Sequence, residues 1–306
     1  MSIKLPSISV CLCTFNGSRF IREQLDSIIK QTHLPNEVII CDDCSTDGTE
    51  LILKEYQHKY PFFKIVLNQQ QLGFNKNFEK AILLASSDYI AISDQDDIWR
   101  DDKLAVLLKS FVQDSNVVYS DSVRFTDKID IRKKTSLSYR RVQGDNVKNL
   151  FLYNTVSGHA IMFKRSFIDK ILPFPSEGYY DWWIAMVSTC NGGLSYVDEV
   201  LVYQRIHGDN QSVRNRPKDE RSLEYKKQLL AQLKSVSLIT NVKERDAILA
   251  KYLISSIHEA IQENRSWKLF VIVMINAKAL FFKKRRLFPI ITWLKSAYQF
   301  ALCESL

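Results

Sequence analysis

DYIAISDQDDIW, residues 88–99, passes from a strand pattern into a cluster of acids within a few positions. Tyr89, Ile90, Ala91 and Ile92 form a short apolar run, and Asp94, Asp96 and Asp97 follow it at once. Carboxylates this close repel and raise one another's pKa unless a cation or hydrogen-bond donors offset them. The stretch therefore predicts a buried strand whose end carries either a cation site or acids splayed into water.

The same rhythm repeats upstream. ISVCLC (8–13), EVIICDD (37–43) and KIVLN (64–68) read as strands. Between them SRFIREQLDSIIKQ, TELILKEYQHKY and FNKNFEKAILLAS place apolar residues at helical spacing. This βαβ alternation predicts an α/β fold, a mostly parallel central sheet with helices on both faces. Ligands of such sheets sit outside the carboxyl ends of the strands. Polar residues collect at those ends: Thr14 to Asn16, Asp42 and Asp43, Asn68, then Asp94 to Asp97. Downstream, DDKLAVLLKSF reads as a helix, NVVYSD (116–121) and SGHAIMF (157–163) as strands, and GYYDWWIAMVSTCNGG as a helix closed by Gly192 and Gly193. From about Pro217 the pattern is helical. Three segments follow: 1–115, 116–215 and 216–306.

Charge is uneven along the chain. Of the net +8, the segment from Arg265 to Leu306 carries +7, leaving +1 for everything before it. A partner is thus expected for the C-terminal end. Its aliphatic and aromatic residues, with the basic run Lys283 to Arg286, suit an anionic membrane surface better than nucleic acid. A homodimer contact is the other use of such a helical face. No secretion signal is read at the N-terminus, and the longest apolar stretch (269–282) is short of a spanning helix. Six cysteines without an export signal are expected to be reduced. Cys11, Cys13, Cys41 and Cys44 read as small buried residues rather than a four-thiolate zinc site.

CDDCSTDGT (41–49) resembles the D-D-x-S-x-D-x-T signature of family 2 glycosyltransferases. Thr14-Phe15-Asn16, the Asn68 to Gly73 spacing, SDQDDIW and the D-W-W of residues 181–183 extend the resemblance over roughly residues 7 to 212. The SDQDDIW and YYDWW forms look most like rhamnosyltransferases of bacterial surface polysaccharides.

The resemblance implies a GT-A fold followed by a C-terminal helical region, with a nucleotide-sugar-binding half (1–115) and an acceptor and catalytic-base half (116–215). It implies a UDP- or dTDP-sugar donor, dTDP-rhamnose included, a Mg²⁺ or Mn²⁺ cofactor, inversion at the anomeric carbon, and a glycan or lipid-linked glycan acceptor. Asp42 would accept from the base, Thr14 and Asn16 would flank it, and Asn68 and Gly73 would complete the donor site. Asp94 would lie near the ribose and Asp96 on the cation; the role of Asp97 stays open. Asp181 would be the base that takes the acceptor proton, beside Trp182 and Trp183, which would wall the site and stack on a sugar. His207 matches a family histidine that ligates the cation or bonds the diphosphate. Arg205 would pair with diphosphate oxygens, although Gln204 intrudes between it and Tyr203. His159 faces the acceptor cleft or is packed. The expected place of work is the cytoplasm, peripheral on the inner face of the plasma membrane. A D-x-D phosphatase and a non-catalytic nucleotide-sugar-binding module are the alternative readings.

Overall fold

Continuous apolar runs make strands that are covered on both faces, and the first strand, β1 (Ile8–Thr14), is buried along almost its whole length. The computed structural model describes residues 6–112, 114–126, 128–130, 139–208, 218–263, 265–283 and 289–302. The chain divides into two compact units. One comprises Met1–Thr135, Ser157–Phe174 and Ser195–His207, the other Ser136–Val156, Pro175–Leu194 and Gly208–Leu306.

In the first unit β1 is followed by α1 (Ile21–Ile29), β2 (Glu37–Asp42), α2 (Thr49–Lys59), β3 (Phe63–Leu67), α3 (Phe74–Leu84) and β4 (Tyr89–Ser93). The helices bury one stripe each: Ile21, Leu25 and Ile28 on α1, and Phe78, Ala81 and Ile82 on α3. Burying such side chains contributes about 1.5–3 kcal/mol each, which is what holds the helices on the sheet. After β4 come the two-residue β5 (Ile98–Trp99), α4 (Lys103–Lys109), β6 (Val117–Phe125), β7 (Ile161–Lys164), the short α5 (Ile168–Ile171) and β8 (Leu194–Arg205).

Among the described residues these eight strands form one sheet in the order β3-β2-β1-β4-β7-β6-β8-β5. The pairs among β1, β2, β3 and β4 are parallel, whereas β4–β7, β6–β7 and β5–β8 are antiparallel. Two of these registers decide the chemistry. Ala91 lies opposite Met162 in β4–β7, which brings the turn before β7 alongside the end of β4. Ile98 lies opposite Tyr203 in β5–β8, so the acids just before β5 run back along Arg205 and His207.

One expected strand is shortened. Residues Gly158–Ala160 form a tight 3₁₀ turn, and β7 begins only at Ile161. The reason is local: Ala160 N–H donates to Ser157 O at 2.9 Å, and the His159 carbonyl accepts from the Lys103 ammonium at 2.6 Å. That carbonyl is therefore used outside the ladder.

The second unit contains α6 (Tyr180–Cys190), α7 (Lys218–Ser235), α8 (Glu244–Gln262), α9 (Trp267–Ile275), α10 (Ala277–Leu280) and α11 (Pro289–Leu302). Helix α6 is buried from Trp182 to Thr189, and Gly192 and Gly193 follow it at φ 90° and 96°. Of the basic run expected to meet a membrane, Lys284, Arg285 and Arg286 lie outside the described residues.

Candidate active site

The loops after β1, β2 and β3 are tied to one another by their own polar side chains. The Asn16 backbone, at φ 49°, donates to Ser45 Oγ at 2.8 Å, and the Asn16 carboxamide oxygen accepts from Thr46 N–H at 2.9 Å. Thr14 Oγ1 and the Phe15 N–H both donate to Gln95 Oε1, at 2.6 and 2.9 Å. This clip explains Gly17, where an added Cβ would stand 2.4 Å from Gln95 Oε1 and 2.8 Å from Thr14 Oγ1. Asp42 accepts from Ser45 N–H at 2.9 Å and from Ser45 Oγ at 2.5 Å. Asp43 accepts from Asn68 Nδ2, Leu72 N–H and Gly73 N–H at 2.8, 2.7 and 2.8 Å. Gly73, at φ 78°, then opens α3. Asp42, Asp43, Asn68 and Gly73 thus shape two adjoining strand-end loops, a tie the sequence motif did not announce for Asp43.

The acids after β4 are less well supplied. His207 Nε2 and Asp96 Oδ2 are paired at 2.8 Å. Asp97 is 1% exposed; its Oδ1 accepts from Arg205 N–H at 3.2 Å, while its Oδ2 is buried without a hydrogen-bond partner. His159 Nδ1 stands 3.4 Å from both Asp94 Oδ2 and Asp97 Oδ2. Burial, reinforced by Asp94, raises the Asp96 carboxyl above its ordinary range. Burial pushes the Asp97 carboxyl up to about 7 against the opposing pull of His159. For His159 burial acts downward, yet Asp97 and Asp94 outweigh it and raise the imidazole.

Arg205, whose orientation the intruding Gln204 left open, proves to be a brace. Its guanidinium lies between the rings of Phe20 and Phe125, 4.8 and 4.7 Å from their centroids. It donates through Nε to Asp96 O at 3.2 Å and pairs with Glu23 at 2.9 Å. Phe20 also packs on His207, with ring centroids 4.7 Å apart. These contacts hold the acid loop from behind.

Lys103 is the residue that sequence reading missed. It is wholly buried, sits 3.4 Å from the centroid of Trp99, and holds the His159 carbonyl. Burial drives its ammonium pKa well below the ordinary value, with Asp97 and Asp94 pulling the other way. A lysine directly after the paired acids Asp101 and Asp102 looks like a solvated helix start, and only the position of the turn at 158–160 reveals its partner.

These side chains fit a divalent cation. Carboxylate oxygens with an imidazole nitrogen suit Mn²⁺ and, through the carboxylates, Mg²⁺. Among the described residues, Asp94, Asp97 and His159 form a group whose ligand atoms all lie within 4.8 Å of one another. The orphaned Asp97 Oδ2 and His159 Nε2 show how far the acid loop falls short of internal satisfaction.

Asp181 belongs to the second unit, in the first turn of α6, where its Oδ1 accepts from Trp182 N–H at 2.6 Å. Trp182 and Trp183 are each 4% exposed, and Trp182 Nε1 donates to Leu150 O at 2.7 Å. Both rings are thus largely buried beside Asp181.

The family model described as "Glycosyl transferase family 2" matches residues 9–172. The chain is 39% identical over 117 residues to the dTDP-rhamnosyl transferase RfbG of Shigella flexneri, covering 37% of this chain and 40% of that one. It spans 59% of the length of mycobacterial relatives that it matches at 28% identity. Among solved structures, S. aureus TarS 1–349 in complex with UDP-GlcNAc superposes with a TM-score of 0.59 at 17% identity, covering 96% of this chain and 81% of that one. The mannosyltransferase PcManGT from Pyrobaculum calidifontis, in complex with GDP-Man and Mn²⁺, gives 0.59 at 17%, covering 97% and 86%. These likenesses establish the GT-A-like fold: a mixed, mostly parallel sheet followed by C-terminal helices.

Proposed function

The chain belongs to glycosyl transferase family 2, and from that premise we propose that it transfers one sugar, with inversion, from a UDP- or dTDP-sugar to a growing, lipid-linked bacterial surface glycan. The observation that carries this reading is the cluster of buried acids after β4, where Asp96 pairs with His207 at 2.8 Å and Asp97 Oδ2 has no hydrogen-bond partner. Similarity to a dTDP-rhamnosyl transferase favours dTDP-rhamnose as the donor.

The strand-end loops of Thr14 to Asn16, Asp42 and Asp43 would receive the nucleoside, and Asp94 the ribose. Asp96 and His207 would hold Mg²⁺ or Mn²⁺, which supplies positive charge to the departing diphosphate. They lie beside the Asp94–Asp97–His159 group, whose ligand atoms all fall within 4.8 Å of one another. Arg205 keeps Asp96 and Asp97 in place rather than reaching for phosphate. Asp181 takes the proton of the acceptor hydroxyl as its oxygen bonds to the anomeric carbon and the bond to the diphosphate oxygen breaks. The electron pair of that bond leaves with the nucleoside diphosphate, so atoms and charge balance. Among the described residues no helix is long and apolar enough to cross a membrane. The C-terminal helices would instead keep the enzyme peripheral, on the cytoplasmic face of the plasma membrane where such acceptors are built.

The test pairs calorimetric titration of UDP, dTDP and their sugars, with and without Mn²⁺, with transfer assays on lipid-linked glycan. Asp181→Asn should keep donor affinity while transfer falls by ~10²–10⁴-fold. Undiminished transfer would remove Asp181 from the mechanism. Donor binding with no transfer by the wild type would leave a binding module.

A further inference from the structure

The second unit carries more apolar surface than its packing uses. Helix α9 buries Leu269 and Val273 on one side. On another it presents Trp267, Val271 and Ile275, at 64%, 51% and 79% exposure. A spacing of four keeps these three on one stripe. On α8, Ile248 and Tyr252 repeat the pattern, again four apart and again exposed. The two stripes meet: Tyr252, Trp267, Val271 and Ile272, with Lys268, line one groove of about 460 Å³. Scattered surface hydrophobes need no explanation, but a contiguous aliphatic and aromatic stripe marks an interaction site.

Charge selects the occupant. The α9 part of the stripe lies in the segment that carries +7 from Arg265 onward, against +1 for the rest. Arg265, Lys268 and Lys278 are exposed on and beside α9. A second copy seated on the α9 stripe would bring its Arg265, Lys268 and Lys278 toward their counterparts, which costs Coulomb energy. An anionic surface gains from the same charges, and an acyl boundary takes up the apolar stripe. Trp267 and Tyr252 have the amphipathic rings that settle at headgroup depth.

We propose that the α8–α9 face is a membrane-surface site that lies on an anionic phospholipid leaflet, with Trp267, Val271 and Ile275 entering the headgroup and acyl boundary. The site deepens the reading of a membrane-borne acceptor, on which its biological sense rests. Its test uses no donor, acceptor or catalysis, so either reading can fail alone.

The full chain is floated with phosphatidylcholine vesicles containing or lacking phosphatidylglycerol, over a range of salt. Wild type should bind only the anionic vesicles and should release as salt rises. Trp267→Ser/Val271→Ser/Ile275→Ser should lower partitioning by at least about tenfold. These side chains are exposed, so circular dichroism and melting should stay as in wild type. Lys268→Glu, which keeps the stripe, should weaken binding to anionic vesicles alone. Wild type that ignores phosphatidylglycerol, or a triple-serine variant that binds as well as wild type, would overturn the proposal. So would light scattering that shows a wild-type dimer turned monomeric by the serines, since the face would then be a contact between copies.

Discussion

At the amino end of β2 the buried Glu37 is surrounded by donors; beyond the carboxyl end of β4 the buried Asp97 has an oxygen with no hydrogen-bond donor. Glu37, at the start of β2 and 3% exposed, accepts from Ser9 Oγ at 2.6 Å, Lys64 Nζ at 2.5 Å, Ser86 N–H at 2.7 Å and Ser86 Oγ at 2.9 Å. Burial pushes its carboxyl up, but Lys64 and the serines prevail and bring it down to about 2. Asp97, just as buried, is pushed up to about 7. Burial is common to both ends, so the supply of donors makes the difference. An acid supplied in full holds strands together, whereas an acid left short is available to something the chain does not itself contain.

The largest effect should come from breaking the carboxyl end. Asp96→Asn keeps the volume of the side chain and loses its charge, so Mn²⁺-dependent binding of UDP or dTDP should weaken on the order of 100-fold. Thermal melting without metal should stay near wild type, because the loop is also held by Arg205. Titration calorimetry with and without Mn²⁺ checks this, and unchanged affinity would detach Asp96 from the cation.

Breaking the amino end should instead cost stability. Glu37→Gln leaves Lys64 unpaired and mismatches at least one serine donor, for a loss of about 2 kcal/mol at pH 7 in denaturant melts. The sign with pH follows from the lowered carboxyl. The stability that ionised Glu37 contributes is present above its unfolded value and is lost as pH falls through about 2. The gap between variant and wild type should therefore close in acid.

The smallest effect has the opposite sign and sharpens the contrast. With metal chelated, Asp97→Asn should stabilise the protein on the order of 1 kcal/mol at pH 8. Because the folded carboxyl is raised, folding holds a proton that the unfolded chain has released. Its contribution is present in acid and is lost as pH rises through about 7. Asn mimics the protonated form and keeps the oxygen that accepts from Arg205 N–H. The groups facing it, Asp94, Asp96, His159 and Lys103, are unchanged. A destabilised variant at pH 8 would show that Asp97 is a structural acid like Glu37.

Sequence alone determined the alternation of strands and helices, the acids at the ends of β2 and β4, and the family those motifs resemble. Each is a local property: strand burial and helical spacing are written within a dozen residues, and so is a carboxylate cluster. Tertiary structure decided which partners the acids receive. His207 reaches Asp96 across 111 positions of chain, and His159, in the turn before β7, stands 3.4 Å from Asp94. Lys103 finds the His159 carbonyl across 56 positions, and the tryptophans after Asp181 are buried. Local pattern sets where polar groups cluster. Whether each is satisfied depends on registers and packing between distant segments, because a buried hydrogen bond needs a donor within about 3 Å wherever in the chain that donor lies.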